Sequence, residues 1–215
     1  MPDSFKSNAL KEICRKLVKI GKFEEAIDVA KLISDEPFKS NALEEVSKAL
    51  VKISKFEEAM DVAQLMPDGF FKYITLEEIS KALVKVSKFE EAIDVAKLIP
   101  HKGFKASAVA NISYGLAEIG KFEEAISLIE LISHEGDKNE VLETISEILV
   151  NSGKFEEAID AAKLISNDKH DVSRIISEGL LAVKGIDEAI SFAKLIPDEN
   201  MGRYILNNFL ECNKS

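Results

Sequence analysis

The chain has 215 residues, 46% of them hydrophobic, enough apolar material for one packed domain. Its 38 acidic and 28 basic residues leave a net charge of −10, which argues against a duplex nucleic-acid binder because phosphate contacts need a basic face. No apolar run approaches the length of about 18 residues that suggests a membrane span, and the polar stretch from Met1 to Asn8 shows no signal peptide, so a soluble, cytoplasmic protein with Cys14 and Cys212 as free thiols is expected, with export by another route left open.

From residue 4 the chain is a repeat. Leu10, Ile13, Leu17 and Ile20 follow at spacings of 3 and 4 and predict a helix with one apolar face. Gly21 stands where such a helix ends in a left-handed residue. A second helix is predicted from Phe23, with the stripe Phe23, Ala26, Ile27, Ala30, Leu32 and Ile33. Glu24 and Glu25 fall in its first turn, where negative charge complements the helix dipole. The string Lys-Phe-Glu-Glu-Ala returns at Phe56, Phe89, Phe122 and Phe155, each 33 residues after the last. A degenerate copy has Ile186, 31 residues on, with the two missing residues in the loop before Val172. The repeats thus cover residues 4–36, 37–69, 70–102, 103–135, 136–168 and 169–199. Residues 203–215, with Leu206, Phe209 and Leu210 on one face, predict a lone capping helix. The expectation is thirteen helices in two layers, no strand, and a single domain over 1–215.

Variation between repeats sharpens this picture. Ala26, Ala59, Ala92, Ala125, Ala158 and Ala189 share one position, where a small residue lets two helices approach closely. Ser54 and Ser87 replace the turn glycine, so those turns are expected to be less ideal or different. Pro67, Pro100 and Pro197 stop the second helices. Cys14 shares its position with Ser47, Ser80, Ser113, Ser146 and Ser177, which marks a packing site and not a nucleophile. Phe5, Phe38, Phe71 and Phe104 open the first four repeats and are expected to plug the inter-repeat loops. Lys16 stands where inner repeats carry Ala49, Ala82, Gly115, Ile148 and Gly179, and reads as an end cap.

Gly-Lys-Phe-Glu-Glu-Ala-Ile after a Leu-x2-Ile-x3-Leu stripe resembles the tetratricopeptide repeat over nearly the whole chain. Leu10, Ile13, Leu17, Phe23 and Ala26 fall at that family's structural signature positions. The period is 33 and not 34, proline comes about four residues early, and leucine replaces the large aromatic of the first helix. The pentatricopeptide repeat, an RNA-reading relative, is similar around Leu17 to Ala26, but the acidic charge counts against it. The resemblance implies an all-α, right-handed α-solenoid whose first helices line a concave groove that binds peptides or partner helices.

The chain carries no glycine-rich phosphate loop, no Cys-x-x-Cys and no His-Glu-x-x-His, so no enzyme, cofactor, metal site or small-molecule substrate is expected. His101, His134 and His170 lie in inter-repeat loops as exposed side chains. The informative pattern is the set of residues twelve, eight and four before each phenylalanine, which share a face of the first helix. These are Lys11, Arg15 and Lys19 in the first repeat. The later pairs are Lys48 with Lys52 and Lys81 with Lys85, then Tyr114 with Glu118 and Glu147 with Asn151, flanked by Glu143 and Glu178. Val18, Val51 and Val84 run beside the basic ones. Residues 1–102 hold 17 basic and 18 acidic side chains, and residues 103–215 hold 11 and 20. A groove with an apolar floor, basic first and acidic after, would take an acidic segment of a protein or peptide. The plain alternative is a solvated helix face, since Lys19, Lys52 and Lys85 sit in last turns where the dipole favours lysine anyway. An RNA binder and a self-associating structural module are the other readings. Arg15 and Lys11 match two places of the family's carboxylate clamp, but Glu45, Ile74 and Glu78 occupy the rest, so that clamp is not expected.

Overall fold

A computed structural model describes residues 3–166 and 170–195. The first helices are α1 (Asp3–Lys19), α3 (Glu36–Lys52), α5 (Phe70–Lys85), α7 (Lys102–Glu118), α9 (Glu135–Asn151) and α11 (His170–Val183). The second helices are α2 (Phe23–Lys31), α4 (Phe56–Gln64), α6 (Phe89–Lys97), α8 (Phe122–Leu128), α10 (Phe155–Lys163) and α12 (Ile186–Leu195). No strand occurs among the described residues. The expected capping helix over 203–215, Pro197 and Cys212 lie outside them. The chain divides into two compact bodies, 1–112 and 113–215.

Within the first body, α1 packs on α2 and α3, α3 on α4 and α5, and α5 on α6. Within the second, α9 packs on α10 and α11, and α11 on α12. The recurring leucine explains the core: Leu50, Leu83, Leu116 and Leu149 are fully buried, as are the six repeated alanines. One position decides the length of the second helix. Ala30, Ala63, Ala96 and Ala162 are buried there, whereas the fourth repeat has the larger, β-branched Ile129. At that residue α8 gives way to a tighter 3-10 turn, Ile129–Leu131.

The turns between paired helices share one geometry in the first five repeats, whereas in the sixth the positive φ falls one residue later, at Gly185. Gly21 has φ 74°, and the Lys22 N–H donates to the Leu17 carbonyl at 3.0 Å. Ser54 and Ser87 take the same left-handed conformation, with φ of 62° and 61°, and Lys55 and Lys88 donate to Leu50 and Leu83. The turns expected to differ are therefore the same turn, held by serine against its steric preference.

Three expectations are corrected. The loop plugs Phe5, Phe38, Phe71 and Phe104 lie in first turns of helices, the last three half-buried. Leu32, Leu65, Leu98 and Leu164 are exposed, because each caps its helix one residue before the buried Ile33, Met66, Ile99 and Ile165. Ile13 of α1 and Ile20 directly after it, both assigned to the core stripe of the first helix, are exposed. The shared small-residue position is a packing site: Ser47 donates to the Ala59 carbonyl at 3.0 Å and Ser80 to that of Ala92 at 3.1 Å.

A candidate binding cleft between the first helices

Side chains eight residues before the phenylalanine lie between neighbouring first helices. Arg15 of α1 grips Glu45 of α3 with Nε at 3.0 Å and Nη2 at 2.6 Å, and its Nη1 reaches Glu12 at 2.8 Å. That bond holds the Glu45 carboxyl below its usual range and raises Arg15. Lys48 of α3 reaches Glu44 at 2.8 Å and Glu78 of α5 at 3.2 Å. Burial disfavours the charged Lys48, but the two carboxylates outweigh it and its pKa rises. Lys11 is held over the Phe38 ring, with Nζ 5.5 Å from its centroid. Three of the basic groove residues are thus already engaged by the protein itself.

Lys81 breaks the ladder. The acidic partner lies 30 residues ahead in the first two steps, Glu45 after Arg15 and Glu78 after Lys48, but Asn111 stands 30 after Lys81. Lys81 is exposed, and so are Lys19, Lys52 and Lys85; no carboxylate of the described residues forms an ion pair with any of the four. Lys48, Lys52, Lys81 and Lys85 rim a cleft of about 340 Å³ between α3 and α5, floored by Val51, Ile79 and Ala82, with Glu78 as its one acid. Val18 and Val84 are half-buried beside their helices and outside this cleft. The 30-residue acid–base spacing was present in the sequence and would have marked Lys81 as the unpaired member.

The described structure is a stack of antiparallel helix pairs in each body. No family model matches the chain, and no curated protein matches it. Among solved structures it is similar to pilF of Pseudomonas aeruginosa, at 11% identity over 97% of this chain and 100% of that one, with a TM-score of 0.43. It is also similar to the tetratricopeptide-like repeats of a putative kinesin light chain from Podosopora anserina, at 13% identity over 97% and 98%, with a TM-score of 0.32.

The helical frame carries further surface features. At the start of α5, Phe70 is 61% exposed and stands edge-on to Phe71 and Phe104, both at 5.8 Å between centroids. Tyr73 stacks on His101, which meets Phe104 at 5.2 Å. Neither Phe70 nor Tyr73 recurs in the neighbouring repeats, which carry Pro37 and Gly103, and Ser40 and Ala106, at those positions, so periodicity does not mark them. In the second body, Tyr114 is half-buried and its hydroxyl is pushed up by burial and by Glu140, against a hydrogen bond with Thr144 that lowers it. Glu147 is exposed and Glu178 pairs with Arg174 at 3.0 Å. A second cleft of about 530 Å³ there has Phe155, Ile159 and Leu180 as its apolar wall and Glu156, Glu157, Asp187 and Glu188 as its acids. No group of three or more His, Cys, Asp or Glu side chains among the described residues is placed to hold a metal ion, and no helix among them is long and apolar enough to cross a membrane.

Proposed function

We propose that this chain is a non-catalytic scaffold that holds an acidic, partly apolar segment of a partner protein in the cleft between α3 and α5. The observation that carries the reading is the imbalance of that cleft: four lysines and one glutamate over an apolar floor, with Lys52, Lys81 and Lys85 in no ion pair among the described residues. An isolated cationic cluster on an otherwise acidic chain attracts carboxylates and repels itself, so an acidic ligand gains on both counts. Val51, Ile79 and Ala82 supply the apolar contact. Arg15 and Lys48 serve mainly to tie first helices together, because a ligand must displace Glu45 or Glu78 to use them. The attraction therefore rests on Lys52, Lys81 and Lys85.

The test is anisotropy of a labelled peptide of alternating glutamate and leucine. Affinity is expected to fall with salt, since exposed pairs are screened over a Debye length of about 8 Å at physiological ionic strength. Lys81→Glu with Lys85→Glu is expected to weaken binding at least tenfold, mainly through slower association. Reversal of Glu156 and Glu157 is expected to leave it unchanged. Binding that survives the lysine reversals at low salt would sink the cleft reading. Tighter binding of total RNA than of the peptide at moderate salt would replace it with a nucleic-acid function.

A further inference from the structure

The face of α1 that other first helices bury is open. Ile13 is 47% exposed, whereas Val46, Ile79, Ile112, Ile145 and Ile176 at the same position are 0% exposed. Ala9 is exposed while its counterparts Ala42, Thr75 and Ala108 are 1% exposed. Ala42 shows what that position faces, since its carbonyl accepts the Cys14 thiol of the preceding first helix at 3.9 Å. Phe5 is 70% exposed where Phe38, Phe71 and Phe104 are half-buried, and Ile20, 68% exposed, extends the face at a position that is also open in Ile53, Val86 and Ile119. Phe5, Ala9, Ile13, Lys16 and Ile20 follow at spacings of 4, 4, 3 and 4, which is one stripe along the helix. Among the described residues nothing covers it. A repeat face that meets only water is expected to be polar, and here Lys16 is the one polar residue beside Phe5, Ala9 and Ile13.

We propose that two copies of this chain pair through α1, antiparallel about a two-fold axis near Ile13. The stripe is close to palindromic: Phe5 and Ile20 lie eight and seven residues from Ile13, and Ala9 and Lys16 lie four and three. In an antiparallel pair Ile13 meets its own copy and Phe5 packs on Ile20. Ala9 then leaves room for the stem of Lys16, whose ammonium comes within one helical turn of Glu12 in the other copy. That match of bulky with bulky, small with long, and cation with anion is what an isologous contact requires of one surface. Glu12 already holds Arg15 at 2.8 Å, so Lys16 adds a second cation to a carboxylate that stays in place. A face of one helix stripe makes an interface below about 1,200 Å², so the dimer is weak and concentration-dependent.

Sedimentation velocity of the intact chain across a wide concentration range reads this directly. The average mass is expected to rise toward two chains, and Ile13→Lys is expected to hold it at one, with an unchanged thermal transition because Ile13 is exposed. In a Cys212→Ser background, Ile13→Cys is expected to form a disulfide-linked dimer under mild oxidation, and Val86→Cys, exposed on α5's end, is expected not to. A chain that is monomeric throughout, or a dimer that survives Ile13→Lys, overturns the proposal. A dimer in which Val86→Cys cross-links and Ile13→Cys does not overturns the antiparallel register.

Discussion

The clefts of the two bodies lie at different places in the repeat and carry opposite charge, one between the first helices α3 and α5, the other lined by α10, α11 and α12. In the first body lysines rim the space between α3 and α5; in the second, Glu156, Glu157, Asp187 and Glu188 rim the space around Phe155 and Leu180. The recurring core leucine hardly differs between the bodies, with Leu83 in one and Leu149 in the other, each fully buried. The frame tolerates either charge because it is fixed by side chains that never meet water. The surface positions are then free to differ, and they are where a partner would be selected.

If the frame is common, core truncation should cost the same in both bodies. Leu83→Ala and Leu149→Ala are each expected to lose about 2–5 kcal/mol in chemical denaturation. A large difference between them would break the comparison. Gly179→Ala sharpens it. A methyl there would overlap Val150 and press on Phe155, so α9 and α11 approach through that glycine. Overpacking is expected to cost about 1–3 kcal/mol despite alanine's better helix propensity. Its counterpart in α5 is already Ala82. Ser54→Gly and Ser87→Gly are expected to raise stability by about 1 kcal/mol each, since both serines hold a positive φ that glycine takes freely.

A smaller effect separates Cys14 from the serines that replace it elsewhere. Burial, with Glu45 adding, pushes its thiol up from 9.0 to about 11. The folded state therefore resists ionisation that the unfolded chain undergoes, so this contribution is complete below pH 9.0 and is lost as pH rises toward 11. Cys14→Ser is expected to flatten the stability profile in that window, and a pH titration of the melting temperature checks it. The smallest effect is expected from the cleft itself: Lys81→Glu with Lys85→Glu should leave the denaturation midpoint nearly unchanged, because solvated charges contribute little to folding. A marked shift would mean that these lysines serve the frame and not a ligand.

Most of the frame was legible because a 33-residue self-similarity repeats the same physical instruction five times over. The alanines, the leucine and the serine-or-cysteine position could each be read as buried from recurrence alone, and all are except Leu17, which is half-buried in α1. What recurrence could not show was where a repeated residue loses its neighbour. Ile13 carries the same instruction as Ile79, yet one is open and the other closed, because burial belongs to the pair of surfaces and not to the residue. The same holds for charge. Arg15, Lys48 and Lys81 are equivalent by position, and spacing placed all three in one basic row. Only the packing of α1, α3 and α5 side by side brought Glu45 to Arg15 and Glu78 to Lys48, while the residue thirty after Lys81 is the uncharged Asn111. The sequence by itself determined the helices, their pairing and the core, since those follow from local periodicity and apolar burial. The tertiary structure decided which lysines are free and which apolar face is unmatched, since both depend on contacts between residues some thirty positions apart.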